Sequence, residues 1–91
     1  MRSPSYSSQF QRDVKRLKKR GKDIEKLKAL IELLLAEQPL PPQYKDHPLK
    51  LNWAGNRDAH IGPDWVLIYF ATSTKVHLER TGTHAELFEG D

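Results

Sequence analysis

Three prolines, Pro39, Pro41 and Pro42, divide this chain of 91 residues into two segments with different hydrophobic periods. Proline lacks a backbone N–H and its ring clashes with the preceding helical turn, so no helix continues through this stretch. Before the prolines, apolar residues recur every three or four positions, as in amphipathic helices. After them, short apolar runs lie between turn residues, as in strands. The chain is therefore predicted to place helices first and a sheet second.

Two helices are predicted before the prolines. The first covers about residues 8 to 20, because apolar side chains recur at i, i+4 and i+7, at Phe10, Val14 and Leu17. Ser7 or Ser8 is its predicted N-cap, and Gly21 occupies the C-terminal position that favours glycine. Asp23 is the predicted N-cap of the second helix, whose apolar face consists of Ile24, Leu27, Leu30, Ile31, Leu34 and Leu35. The two helices form a predicted antiparallel hairpin.

Strand patterns follow the prolines. Segments around Leu49–Trp53 and Arg57–Ile61 are predicted to form a β-hairpin, since Gly and Asn, both turn formers, lie between them. The apolar run Trp65–Phe70 suits a central strand. Lys75–Arg80 alternates with period two, which places Val76, Leu78 and Arg80 on one side.

The two ends of the chain complete the predicted architecture. Residues 1 to 7 are either an edge strand or a frayed end, and His84–Phe88 is a short helix that Thr83 can cap. The predicted fold class is α+β: an N-terminal helical hairpin packed on an antiparallel sheet, with a short C-terminal helix, in a single domain over residues 1–91.

Composition excludes several classes of protein. Cysteine is absent, which excludes a disulfide scaffold, a thiolate zinc finger and a thiol nucleophile. The longest apolar run, Trp65–Ala71, has seven residues, whereas a membrane span needs roughly 20. We therefore expect a soluble, cytoplasmic protein with no membrane association.

Positive charge is concentrated in the first helix. The net charge is +3, but residues 1–40 hold ten basic and five acidic residues, and the rest of the chain is acidic overall. Such a cluster is either a solvated helix face or a binding surface for a polyanion or an acidic protein. If the partner is RNA or a ribosome, the predicted contacts are Lys15, Arg16, Lys19, Lys45 and Arg57.

Three of the four histidines, His47, His60 and His84, flank loops, and Asp64 can join them. Because imidazole titrates near neutral pH, such a group can supply both a base and an acid. Arg80, Lys45 and Arg57 would add the positive charge that a phosphoryl transition state needs. This combination is typical of a metal-free ribonuclease that uses the ribose 2′-hydroxyl as its nucleophile.

Two further interpretations concern the same region. His47, His60, Asp64 and His84 are acceptable zinc ligands, but no HxH or HExxH spacing preorganises them. No metal and no cofactor are therefore predicted, and a zinc hydrolase remains an alternative. Phe88 and Trp53 are either core residues or a stacking surface for an unpaired base.

Four blocks of sequence resemble the YafQ-type toxins of the RelE/ParE superfamily. They are Tyr44–Leu49, Arg57–His60, Pro63–Trp65 with Leu67–Tyr69, and Glu79–His84, the last followed by Leu87-Phe88. The resemblance implies a RelE-like fold and a ribosome-dependent endoribonuclease that cuts messenger RNA in the A site of the 70S ribosome. It also implies a DinJ-like antitoxin that silences the toxin, in a complex that binds operator DNA through the antitoxin.

The same resemblance implies an active site formed by His47, His60, Asp64, His84 and Phe88. His84 is the expected general acid, Asp64 or His47 the base, and His60 a phosphate-positioning group, while Arg80 is added from the charge argument above. Two alternatives remain open: a ParE-like toxin that poisons gyrase by protein contact, and a catalytically inactive toxin that acts only by binding.

Overall fold

The computed structural model describes residues 1–88 of the chain, so Glu89, Gly90 and Asp91, the last residues of the predicted domain, lie outside the described residues. Its helices are α1 (Ser8–Lys19), α2 (Ile24–Leu35) and α3 (His84–Phe88). Its strands are β1 (Ser3–Tyr6), β2 (His47–Pro48), β3 (Arg57–Gly62), β4 (Trp65–Ala71) and β5 (Lys75–Gly82). Among these helices, none has the length and hydropathy needed to cross a membrane.

The strands form one sheet in the order β1-β5-β4-β3-β2. The pairs from β2 to β5 are antiparallel, as predicted, but β1 runs parallel to β5, so the sheet is mixed. A parallel neighbour requires a long crossover connection, and here residues 7–74 lie between the two paired strands. The α+β class is confirmed, with one parallel edge strand that the sequence left open.

The predicted helix caps are present. Ser7 Oγ accepts a hydrogen bond from the Phe10 N–H at 2.9 Å and donates one to the Glu79 carbonyl at 2.6 Å. The Asp23 carboxylate accepts from the Glu25 N–H at 3.1 Å. Gly21 has a φ of +81°, a left-handed conformation that glycine adopts without strain. The Ser7 cap therefore also fixes α1 to β5.

Both faces of the central strand are covered. On one face, α1 and α2 pack their apolar side chains against Leu67, Tyr69, Val76 and Leu78. On the other face, a smaller cluster contains Val66, Ile68 and Leu87, with Leu49, Trp53 and Phe88 packed against it. Burial from both sides explains the continuous apolar run of β4.

The predicted strand at Leu49–Trp53 is wrong, because Leu51–Trp53 forms a 3-10 turn and β3 pairs instead with His47–Pro48. Leu51 and Gly55 both have positive φ, +56° and +93°, which an extended strand does not allow. The Leu49 N–H donates to the Asn56 carbonyl at 2.9 Å and closes the loop.

A β-bulge corrects the predicted alternation of β5. Tyr69 pairs with Leu78, but the preceding Ile68 pairs with Arg80, so Glu79 is an additional residue on β5. The bulge shifts every later side chain to the opposite face. Arg80 therefore does not share the face of Val76 and Leu78, as the period-two pattern predicted, but lies in the same row as Ile68.

A buried carboxylate, Asp13, joins α1 to β5. It is fully buried and accepts hydrogen bonds from Arg80 Nε at 2.7 Å, Arg16 Nη1 at 2.9 Å and the Thr81 N–H at 3.1 Å. Arg16 Nε also lies 2.8 Å from Glu86 Oε2 in α3, an ion-pair contact without hydrogen-bond alignment. One carboxylate thus connects the helical layer, the last long strand and the C-terminal helix.

Asp13→Asn is expected to lower the free energy of unfolding by about 3–5 kcal/mol, because it leaves two buried or half-buried guanidinium groups without their counter-charge. Urea denaturation followed by tryptophan fluorescence measures the change. Asp23→Asn is the matched control, since asparagine caps a helix as well as aspartate does. Equal stability losses in the two variants would contradict this assignment.

Candidate active site

Three imidazoles and one phenyl ring lie in a row on the sheet face opposite the helical hairpin. Ring centroids are 6.0 Å apart for His47 and His60, 5.2 Å for His60 and His84, and 5.8 Å for His84 and Phe88. We call His47, His60 and His84 the imidazole row. β2 and β3 carry its first two members, and α3 begins with the third. The three histidines predicted from loop positions therefore do meet.

Asp64 holds His84 in place. Its Oδ1 accepts hydrogen bonds from the His84 backbone N–H at 3.2 Å and from the His84 ring Nδ1 at 3.1 Å. The side-chain bond from His84 is the main reason that the pKa of Asp64 lies below its usual value. Because the carboxylate occupies Nδ1, the other ring nitrogen, Nε2, is left for chemistry.

Asp58 is a site residue that the sequence analysis missed. It is 3% exposed, and its Oδ1 lies 3.0 Å from His47 Nδ1 and 3.9 Å from His60 Nε2. His47 Nδ1 also lies 2.9 Å from the Lys45 carbonyl, and Asp58 Oδ1 makes no aligned hydrogen bond within residues 1–88. Period-two spacing from His60 on β3 was the signal that would have placed it on this face.

Burial moves the pKa values of Asp58 and His60 in opposite directions. Loss of solvent raises the pKa of Asp58, although the neighbouring imidazoles oppose this change. Loss of solvent also lowers the pKa of His60, and the Asp58 charge opposes that change. Both shifts favour the neutral form, as expected for ionisable groups that are removed from water.

Arg57 holds the segment before His47 rather than presenting a free charge. Its Nε and Nη2 donate to Asp46 Oδ2 at 3.1 and 2.9 Å, and the Tyr69 hydroxyl donates to Asp46 Oδ1. The hydrogen bond to Asp46 raises the pKa of Arg57, and burial together with Asp46 raises that of Tyr69. These contacts position the chain that carries His47.

The remaining predicted cations fall into two groups. Lys15, Lys19 and Lys45 are exposed, and Lys45 borders a cavity of about 210 Å³ together with His60. Arg16 and Arg80 instead form the ion pairs with Asp13 described above. His77, interpreted from sequence as an ordinary strand residue, contacts Ser5 and Glu79 outside the imidazole row.

One group of side chains has the geometry of a metal site. Ligand atoms of His47, Asp58 and His60 all lie within 4.8 Å of one another. Two imidazoles and a carboxylate are donors that zinc and copper accept. This set differs from the four ligands considered from sequence, since Asp64 and His84 pair with each other instead.

A search of protein-family models matches residues 2–89 to YafQ, a bacterial toxin of a type II toxin-antitoxin system. The chain belongs to the YafQ toxin family. A relative from Escherichia coli strain B, named mRNA interferase toxin YafQ, is 56% identical over 88 residues, which are 96% of each chain. The resemblance found in the four sequence blocks is therefore confirmed.

Solved structures support the same membership. YafQ in the E. coli DinJ-YafQ complex superposes with a TM-score of 0.90 at 55% identity, covering 97% of this chain and 99% of the other. A metal-bound toxin from Helicobacter pylori gives a TM-score of 0.90 at 40% identity, covering 97% and 100%. Both superpositions extend over nearly the whole of this chain.

Asp58→Asn is expected to lower the pKa of His60 further, because it removes the nearby negative charge that now raises it. Titration of the imidazole C–H signals by NMR measures this shift. Glu79→Gln is the matched control: it neutralises a carboxylate 3.0 Å from His77, outside the imidazole row, and leaves the His60 titration unchanged. A His60 pKa that stays constant or rises in Asp58→Asn would contradict the assignment.

Proposed function

We propose that this protein is an mRNA endoribonuclease, the toxin of a type II toxin–antitoxin system, which cleaves ribosome-bound message by metal-independent acid–base catalysis. The observation that supports the proposal best is the imidazole row with a carboxylate beside each end: Asp58 at His47 and Asp64 at His84. The relatives named mRNA interferase toxin YafQ support the same activity.

Cleavage follows from two proton transfers. His47 removes the proton of the ribose 2′-hydroxyl, whose oxygen attacks the adjacent phosphorus in line. The bond to the 5′-oxygen breaks as His84 Nε2 donates a proton to that oxygen, which leaves a 2′,3′-cyclic phosphate and a 5′-hydroxyl. His60 lies between these two groups and donates a hydrogen bond to the phosphate. DNA lacks the 2′-hydroxyl and is not a substrate.

The geometry favours His47 over Asp64 as the base. Asp64 Oδ1 already accepts two hydrogen bonds from His84, and its pKa is lowered, so its affinity for a proton is reduced. Its role is instead to fix the orientation of His84 and to stabilise the imidazolium form that donates the proton. Asp58 has the corresponding position beside His47.

Positive charge around the imidazole row complements the phosphate. The register places Arg80 in one row with Ile68 and Asp58 across three strands, so its Cα lies about 10 Å from that of Asp58. Asp13 binds the Arg80 Nε and Nη2 atoms and holds the group rigid. Arg80 and Lys45 stabilise the negative charge of the phosphoryl group. The Phe88 ring stacks on the nucleobase beside the cleaved phosphate.

The proposed partners follow from the family. A DinJ-like antitoxin binds and silences the toxin, as the DinJ-YafQ complex of E. coli suggests, and the complex binds operator DNA through the antitoxin. The substrate is message in the A site of the 70S ribosome, which places the protein in the cytoplasm. The exposed Lys15 and Lys19 contact ribosomal RNA. Arg16 and Arg57 act indirectly: their ion pairs with Asp13 and Asp46 hold in place the segments that carry Lys15, Lys19 and Lys45.

His84→Ala is expected to lower the rate of message cleavage by about 10²–10⁴-fold, the range that a general acid contributes. Primer extension on ribosome-bound message measures the rate, and circular dichroism verifies the fold. His77→Ala is the control, because it removes an imidazole outside the row. Undiminished cleavage by folded His84→Ala protein would exclude His84 as the acid.

Zinc ions are expected to inhibit cleavage, because a metal held by His47, Asp58 and His60 would immobilise the proposed base and the phosphate-positioning group. The metal-bound toxin of H. pylori motivates the test. Inhibition should reach completion near one equivalent of zinc, be reversed by EDTA and be absent with Mg²⁺, which prefers oxygen ligands. Activation by zinc would instead support the zinc hydrolase considered from sequence.

A further inference from the structure

A cavity of about 260 Å³ lies between the Leu51–Trp53 turn and α3, next to the imidazole row. Phe88 lines the cavity and lies beside the row: its ring centroid is 5.8 Å from that of His84 and 6.2 Å from that of Trp53. The lining residues are Leu49, Lys50, Leu51, Asn52, Trp53 and Phe88. The cavity is therefore adjacent to the proposed general acid.

The aromatic walls of this cavity are fixed by the core. Trp53 and Phe88 are half-buried, pack against the cluster around Val66, Ile68 and Leu87, and meet edge to face at 78°. Rings held in this way keep their positions without a ligand, so a flat ligand would lose little free energy in ordering them. The cavity is a preformed aromatic pocket.

Leu51 at the rim has an unusual conformation for its residue type. Its φ is +56°, in the left-handed region, and its side chain is 91% exposed. Backbone bonds impose this conformation: the Ala54 N–H donates to the Leu51 carbonyl, and the Leu49 N–H to the Asn56 carbonyl. Strained, exposed apolar side chains of this kind occur at functional sites, where a partner covers them.

We propose that this cavity binds one unpaired base of the RNA, on the nucleotide next to the cleaved phosphate. The proposal rests on the function proposed above and adds a recognition site to it. At about 260 Å³ the cavity is smaller than the roughly 300–1,000 Å³ of pockets for drug-sized ligands, which suits a single base. The base stacks on the aromatic walls, and Leu51 covers its outer side.

The polar residues of the rim distinguish RNA from an apolar peptide side chain. Lys50 and Asn52 are both exposed beside the cavity. The ammonium group of Lys50 complements the phosphate of the bound nucleotide. The Asn52 amide offers a donor and an acceptor to the edge of the base, so the site prefers some bases over others. The cavity thus gives the enzyme sequence preference beside the cut.

The test measures binding separately from cleavage. The probes are short single-stranded RNAs in which the 2′-hydroxyl at the cut is replaced by hydrogen and one base at a time is removed. Affinity is measured by fluorescence anisotropy, with the RNA free and loaded on 70S ribosomes. Leu51→Gly is the key variant, because glycine accepts the positive φ and keeps the fold. Tyr6→Ala, which removes an exposed ring from a different surface groove, is the control.

For the unmodified protein, removal of the base at one position beside the cut is expected to weaken binding about tenfold. In Leu51→Gly the same removal weakens binding by less than about threefold, whereas Tyr6→Ala behaves like the unmodified protein. In Asn52→Ala, the affinities of RNAs that carry each of the four bases at that position are expected to differ less than they do for the unmodified protein.

Three results would overturn the proposal. The first is that base removal leaves RNA affinity unchanged at every position, and the second is that it weakens binding equally in the unmodified protein and in Leu51→Gly. The third is that the protein binds RNA neither free nor on ribosomes. A loss of antitoxin affinity alone in Leu51→Gly would likewise assign the cavity to a peptide. If base removal acts as expected but RNA with its 2′-hydroxyl stays intact, the base site stands and the nuclease function fails.

Discussion

A fully buried carboxylate, Asp13, joins the parts of this molecule that must stay in register. An uncompensated buried charge costs several kcal/mol, so its three donors, Arg16, Arg80 and the Thr81 N–H, are held in fixed positions. Arg16 also forms an ion pair with Glu86 in α3. A Cβ atom at residue 82 would come within 3.1 Å of the Arg16 guanidinium, so glycine at this position leaves room for the ion pair. The helix that begins with His84 is therefore tied to the helical layer on the far side of the sheet.

The two carboxylates of the candidate site differ in environment. Asp64 is largely exposed and bonded to His84, which lowers its pKa and keeps it charged. Asp58 is buried beside His47 and His60, and desolvation raises its pKa. Different environments at the two ends of the imidazole row are what acid–base catalysis needs, since one histidine must accept a proton while another donates one.

Local sequence signals predicted most of the helical half correctly. The caps at Ser7 and Asp23 and the glycine at Gly21 act within a few residues of where they occur, so they do not depend on tertiary contacts. The sheet contains two errors and one feature that the sequence left open, the direction of β1. The direction of β1, the 3-10 turn at Leu51–Trp53 and the bulge at Glu79 each depend on which strands pair and in which register, which no local pattern encodes.

The sequence by itself determined which residue types are available for chemistry: histidines beside loops, no cysteine, and a basic first helix. Only the tertiary structure decided their partners. Asp58 joins the site because strand pairing places it opposite His47, and the bulge brings Arg80 into the row of Ile68. The physical reason is that a shift of one residue in strand register moves a side chain to the other face of the sheet, whereas the composition and spacing along the chain stay the same.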